Sequence, residues 1–350
     1  MIVVGADVHK RTHTFVAVDE VGRQLGGLKV EATTAGHRKA MMWARSRFGS
    51  GVQWAVEDCR HLSARLERDL LDGAQVVVRV PPKMMAEQRR VARTRGKSDP
   101  IDALAVARAA QREPELPKAH HDEVSREFKL LVDRREVLVR QRTATINSLL
   151  WRVHELDPEH VIGAGTLDRV KHQAALRAWL EGLSGLVAEL ALDELSDIET
   201  LTVRINQLEA RIGTRVRQEV PQLLEIPGCG ELTAAKLLGE IAGIDRFSDE
   251  AKLARHAGIA PIPVWSGRTE GRVRMTRSGN RQINAAIHRI AVTQIRLPGL
   301  GKAYYEKKKA EGKSPTEALR CLKRRLIRIV FNTLKTTTTA ATGTCIPTAA

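Results

Sequence analysis

The stretch IVVGADVHKRTHTFVAVDEVGRQLGGLKVEA, residues 2–32, decides the fold. IVVGADVH is the continuous apolar run of a strand buried on both faces. THTFVAVDE alternates in part, as a second strand does, and VGRQLGGLKVEA is a glycine-punctuated turn into a third. Downstream, GHRKAMMWARSRF reads as helix, VQWAVED as strand and HLSARLERDLLDG as a helix closed by Gly73. AQVVVRV is a last strand before Pro81 and Pro82. Three successive strands followed by alternating helices and strands predict an α/β domain, a mixed sheet flanked by helices.

Acidic residues stand where such a sheet ends its strands. Asp7 closes the first strand and Glu57 follows WAV at the end of another, and folds of this order commonly make those strands neighbours. A third and fourth acid lie in KSDPIDALAVAR, residues 97–108. There Asp99 suits an N-cap, Pro100 the first helical position, and Asp102 the first turn, where a carboxylate complements the helix dipole. Asp99 and Asp102 are also one turn apart, so both carboxylates can point the same way. The helix start therefore either stabilises itself or completes a metal site. Four clustered carboxylates repel one another unless divalent cations sit between them, and hard oxygen donors select Mg²⁺, with Mn²⁺ an alternative. Two ions held in this way activate an attacking oxygen and stabilise a leaving one in phosphodiester cleavage. Asp58 falls on the opposite face of its strand and reads as a surface residue. His9, Lys10 and His13 read as ordinary polar neighbours of Asp7, with Lys10 within reach of a phosphate.

The net charge of +16 is concentrated. Residues 83–97, 266–281 and 302–328 carry surpluses of five, four and seven, and together hold all of it. A charge run is usually a solvated face, but this distribution favours a polyanion. Only 3% of residues are aromatic, so backbone contacts rather than base stacking are expected to dominate. The four cysteines are scattered with no CxxC pair, which argues against a disulfide framework or a structural zinc site and for a reducing cytoplasm. No apolar run approaches the ~18 residues of a membrane span.

After this domain, residues from about 123 to 215 are helical and polar, with a coiled-coil-like seam at Ile198, Leu201, Ile205, Leu208 and Ile212. Phe128 to Leu156 carries a rougher seam interrupted by Arg135 and Arg142. Such a pair is either a hairpin packed on its own domain or an oligomerising arm. IPGCG (226–230) before LTAAKLLGEIAG resembles a helix-hairpin-helix, in which Gly228 and Gly230 let backbone N–H groups approach a DNA phosphate; a plain glycine-rich connection is the alternative. In APIPVWSGRTEGRVRMTRSGNRQINAAIHR (260–289), Ser266 precedes a glycine. A Ser-Gly in a loop is ordinarily a turn, yet one beside Arg268, Arg272, Arg274, Arg277 and Arg281 could attack a phosphate. Lys97 joins these arginines as a candidate nucleic-acid contact. The low-complexity tail 336–350 reads as disordered.

GADVHK, AVEDC and KSDPIDALAVAR in this order resemble the RuvC-like DEDD domain of the one-ten family of insertion-sequence transposases. The region from IPGCG through APIPVWSGRTEG to GNRQINAAIHR resembles that family's C-terminal domain. The resemblance reaches about residue 335 and implies an RNase H-like catalytic domain (1–118), a coiled-coil arm (119–218) and a mainly helical serine-bearing domain (219–335). It implies that Asp7, Glu57, Asp99 and Asp102 bind Mg²⁺ and that Ser266 becomes covalently linked to DNA. It also implies recombination of donor and target DNA through a strand-exchanged junction, guided by a structured bridge RNA, in dimers that pair into a tetramer. The expected location is the cytoplasm, at the nucleoid. A RuvC-like Holliday-junction endonuclease using metal-activated water is the alternative enzyme, and a catalytically inert nucleic-acid-binding protein is the third reading.

Overall fold

The computed structural model describes residues 1–58, 60–91, 98–113, 115–120, 122–270, 273–275 and 279–343. Its first elements are β1 (Ile2–Val8), β2 (Thr12–Val18), β3 (Gln24–Glu31), α1 (Thr34–Phe48), β4 (Val52–Glu57), α2 (Arg60–Asp72), β5 (Val76–Val80), α3 (Pro82–Val91) and α4 (Asp99–Arg112). Helices α5 (Glu123–Leu156), α6 (Val170–Leu180), α7 (Leu186–Glu219), α8 (Pro221–Leu224) and α9 (Glu231–Ile241) follow. Then come α10 (Glu250–His256), strands β6 (Pro261–Pro263) and β7 (Val273–Met275), and helices α11 (Arg281–Arg296), α12 (Leu300–Ala310) and α13 (Pro315–Gly343). Two compact units result, each assembled from two stretches of chain. Met1–Asp122 groups with Gly243–Gly279, and Glu123–Ala242 groups with the chain from Asn280 onward.

The first unit is built on a five-stranded sheet of order β3-β2-β1-β4-β5. β2 runs antiparallel to both its neighbours, while β1, β4 and β5 are parallel. That order and direction are those of an RNase H-like fold, as expected from the three-strand opening. Strand residues alternate between the two faces. Val4, Ala6, Phe15, Trp54 and Val56 pack with Ala40 and Ala44 of α1 and Leu66 and Leu70 of α2. On the other face Val3, Ala55 and Val78 pack with Val106, Ala107 and Ala110 of α4. Gly5 lies in that second set. A Cβ there would overlap the Ala103 carbonyl and the Ala107 amide and stand 2.8 Å from Ala107 Cβ. The missing side chain is what lets α4 lie directly on β1. Within the first core, His13 is 2% exposed and stacks on buried His37 with ring centres 5.1 Å apart, and His37 Nδ1 donates to Asp69 Oδ2 at 2.5 Å.

In the second unit α5 and α7 form an antiparallel pair, with Arg135 meeting Glu209 and Arg142 meeting Thr202. The two arginines that interrupt the α5 pattern are thus partnered layers one heptad apart. Arg142, buried, donates to Thr202 Oγ1 at 3.2 Å and pairs with Asp168 at 2.9 Å, while Gln173 Nε2 reaches the same Thr202 oxygen at 3.0 Å. The seam therefore runs through Leu195, Ile198, Thr202, Ile205, Ile212 and Val216, and Leu201 and Leu208 are only half-buried beside it. The expected seam took the wrong phase at two positions because leucine is the more apolar choice; the buried arginines demand polar partners instead. α13 continues to Gly343, so residues 336–343 of the low-complexity tail are helical, and 344–350 lie outside the described residues. Elongating an existing helix needs no new nucleus, which lets an Ala/Thr run extend it. No described helix is long and apolar enough to cross a membrane.

Candidate active site

Asp7 shares the α4 face of β1 with Val3 and Gly5, and Glu57 shares the α4 face of β4 with Ala55. Because Ala6 pairs with Val56, Asp7 and Glu57 stand at neighbouring positions where two parallel strands end. The same rung continues outward through Thr14, opposite Asp7, and Lys29, opposite Thr14. A row Lys29–Thr14–Asp7–Glu57 therefore crosses the sheet beneath the start of α4.

That helix start is not the cap expected from its sequence. Ser98 occupies the N-cap and makes no side-chain cap hydrogen bond, while Asp99 is the first helical residue. The Asp99 carboxylate is drawn away by tertiary partners: Oδ2 accepts from Lys29 Nζ at 2.9 Å and Oδ1 lies 3.5 Å from His9 Nε2. Asp102, one turn on, is 9% exposed and faces Arg89 Nε at 3.2 Å. Its Oδ1 is nevertheless buried without a hydrogen bond, as is the Thr14 hydroxyl.

The electrostatics register the crowding. Burial pushes the Asp7 carboxyl up, the His9 ring beside it at 3.0 Å opposes that, and Asp102 and Asp99 push it further. Burial also raises Glu57, with the charges of Asp7 and Asp102 adding to it and Arg89 opposing. Asp99 is lowered, first by its hydrogen bond from Lys29. Ligand atoms of Asp7, His9 and Asp99 lie within 4.8 Å of one another. A buried Asp102 oxygen that has Arg89 beside it but no hydrogen bond, next to mutually repelling carboxylates, fits a divalent cation. His9, Lys29, Arg89 and Thr14 were not singled out as members of this site. Lys29 had a findable signal: the β2–β3 hairpin register places it on the rung of Asp7. Arg89 belongs to a basic run that named no individual contact, and Asp58, read as a surface residue, is half-buried.

Ser266 sits in the connection between β6 and β7, which pair as an antiparallel hairpin, rather than in a wholly irregular loop. It is exposed, Gly267 after it has φ +51°, and Trp265 before it is 49% exposed. Arg268, Arg274 and Arg281 are also exposed; Lys97, Arg272 and Arg277 lie outside the described residues. Gly228 adopts φ +84°, and a Cβ there would press on Thr293 of α11 at 2.9 Å, so packing alone requires glycine. Gly230, the N-cap of α9, has open space beside it, but the first turn carries Glu231, whose carboxylate accepts from Arg217.

A family model described as "Transposase" matches residues 4–155, and that of the "Transposase IS116/IS110/IS902 family" matches residues 220–306. The chain is 26% identical to an uncharacterized 44.8 kDa protein of insertion element IS116 from Streptomyces clavuligerus, over 95% of this chain and 94% of that one. It is 25% identical to an uncharacterized 42 kDa protein of insertion element IS900 from Mycobacterium paratuberculosis, over 96% and 98%. A Thermus thermophilus RuvC structure aligns with 33% of this chain and 95% of its own, at 16% identity and a TM-score of 0.27.

Proposed function

The chain belongs to the IS116/IS110/IS902 family of insertion-element transposases, enzymes that cut and transfer DNA, and on that premise we propose an RNA-guided recombinase with a covalent serine intermediate. The observation that carries the reading is the set of acids at one end of the sheet, Asp7 and Glu57 on adjacent strands and Asp99 and Asp102 at the helix start above them. In this reading the four carboxylates hold Mg²⁺ or Mn²⁺, which when bound activates the attacking oxygen and stabilises the leaving one. Residues 1–118 serve as the catalytic domain, 119–218 as the arm and 219–335 as the serine-bearing domain.

Ser266 Oγ forms the bond to phosphorus while the bond to one backbone ester oxygen breaks. The hydroxyl proton is lost and the leaving oxygen ends as a hydroxyl, so the phosphodiester count is conserved and the strand can be rejoined to a new end. Exposed Arg268 and Arg274 neutralise the phosphate during this exchange. Sequence resemblance and the basic runs support a structured bridge RNA that pairs with donor and target DNA, and dimers that pair into a tetramer. The reading that uses water in place of Ser266, a junction endonuclease, is favoured by one observation only: no hairpin residue is among the groups that shift the Asp7 and Glu57 carboxyls.

Incubation with donor DNA followed by denaturing gel analysis separates the two. A DNA–protein adduct lost in Ser266→Ala is expected; cleavage by Ser266→Ala at the wild-type rate, with no adduct in either protein, selects the endonuclease. Sequencing of RNA co-purified with the full chain should return one discrete structured species, and its absence removes the guide.

A further inference from the structure

The second unit contains a cationic cluster centred on a buried lysine, with Arg281, the last residue of the basic run 266–281, at its edge. At its centre is Lys323 of α13, 7% exposed, whose Nζ donates to Asn284 Oδ1 on α11 at 2.5 Å. Burying an ammonium group is costly and is ordinarily met by a carboxylate. Among the described residues Lys323 forms no ion pair, and Asn284 satisfies one of its three N–H donors. The charges it feels are both positive: Arg281 at the start of α11 and Arg320 one turn earlier on α13. Burial and those two guanidinium groups hold the ammonium down at about 8. His288, one turn beyond Asn284, is lowered by burial and by Lys323 in turn. Glu317, a turn before Arg320, is engaged with Ser314 at the start of α13.

Arg281, His288 and Arg320 are exposed, so the buried ammonium has two guanidinium groups and an imidazole beside it at the surface of the unit. We infer that Lys323, with Arg281 and Arg320 beside it, seats a phosphodiester of a bound nucleic acid on the second unit. The inference rests on the reading of the chain as a nucleic-acid enzyme. A phosphate oxygen supplies the anion that the buried ammonium lacks, and the two guanidinium forks grip the remaining oxygens. DNA and RNA offer the same group, so the experiment distinguishes them.

Full-length wild type, Lys323→Met and the surface pair Arg281→Gln/Arg320→Gln are titrated against duplex DNA and against a structured RNA across a NaCl series. Each phosphate contact on a duplex contributes about 0.9 to the slope of log affinity against log salt, worth roughly eightfold in affinity at 0.1 M. Because the three cations hold one phosphate, Lys323→Met and the surface pair should each lower the slope by up to about one, on whichever polymer occupies the seat. Should Lys323→Met fail to fold by thermal melting, the surface pair, on exposed residues, carries the test alone. Unchanged slopes in both arms, with wild type binding both polymers, overturn the seat and leave the recombinase reading standing. A wild type that binds neither polymer overturns both.

Discussion

Gly5→Ala is expected to damage the active site without touching a charged residue. The new Cβ would stand 2.8 Å from Ala107 Cβ and overlap the α4 backbone at Ala103 and Ala107. Carbon atoms settle ~3.5–4.0 Å apart, so α4 must retreat by about 1 Å along the sheet normal. Asp102 precedes Ala103 in the chain and would move with it, away from Asp7 and Glu57 on the strands below. A misplacement of about 1 Å costs on the order of a hundredfold in rate, equivalent to about 2.7 kcal/mol. Overpacking adds about 1–3 kcal/mol of lost stability. Val3→Ala is the control: Val3 lies on the same face, so its loss opens a cavity and destabilises the fold without pushing the helix. DNA cleavage per folded molecule and Mn²⁺ affinity by calorimetry should both fall in Gly5→Ala and hold in Val3→Ala. Wild-type cleavage and metal affinity in a folded Gly5→Ala protein would refute the claim that close contact of α4 with β1 sets the carboxylate geometry.

Asp7→Asn and Asp102→Asn should each reduce strand cleavage at least ~100-fold while nucleic-acid affinity stays within about twofold, read by gel shift and cleavage assays. Ser266→Ala should fold and bind RNA but form no adduct, and mixing it with Asp102→Asn should restore activity if catalytic groups are shared between protomers; no recovery at any ratio would place both groups in one chain. His13, held near 4 by burial and by His37 stacked on it, is neutral in the folded protein at pH values where the unfolded chain, with an ordinary value of 6.5, takes up a proton. Its contribution is therefore complete above about pH 6.5 and lost as pH falls towards 4. From pH 7 to pH 5, urea unfolding should show His13→Leu gaining about 2 kcal/mol relative to wild type, and a constant difference would contradict the buried neutral ring.

The sheet was legible because its strands are apolar runs and its alternation fixes which acids share a face: Asp7 has the parity of Val3 and Gly5, Glu57 that of Ala55. Contacts distant in sequence left no local trace. Asp99 has the composition of a cap, but Lys29, seventy residues earlier, takes its carboxylate. Along α7, Thr202 and Glu209 look like poor seam residues until Arg142 and Arg135 of α5 are found opposite them. The β6–β7 hairpin was obscured by Pro261 and Pro263, which ordinarily mark a strand as an edge or deny it altogether. Lys323 sits in a basic run that could be read only as charge, because its burial depends on α11 packing against it.

The interleaving of the two units has a consequence for synthesis. The chain leaves the first unit after Asp122, returns at Gly243 and leaves again after Gly279, so neither unit is encoded by one uninterrupted stretch. At ~5–20 residues per second, a ribosome holds the carboxylate-bearing sheet for on the order of ten seconds or more before the serine hairpin emerges. A message cut short anywhere in that interval yields the acids without the hairpin that groups with them. Premature stop codons in copies of such a gene should therefore silence DNA transfer outright instead of releasing a free-standing transposase fragment.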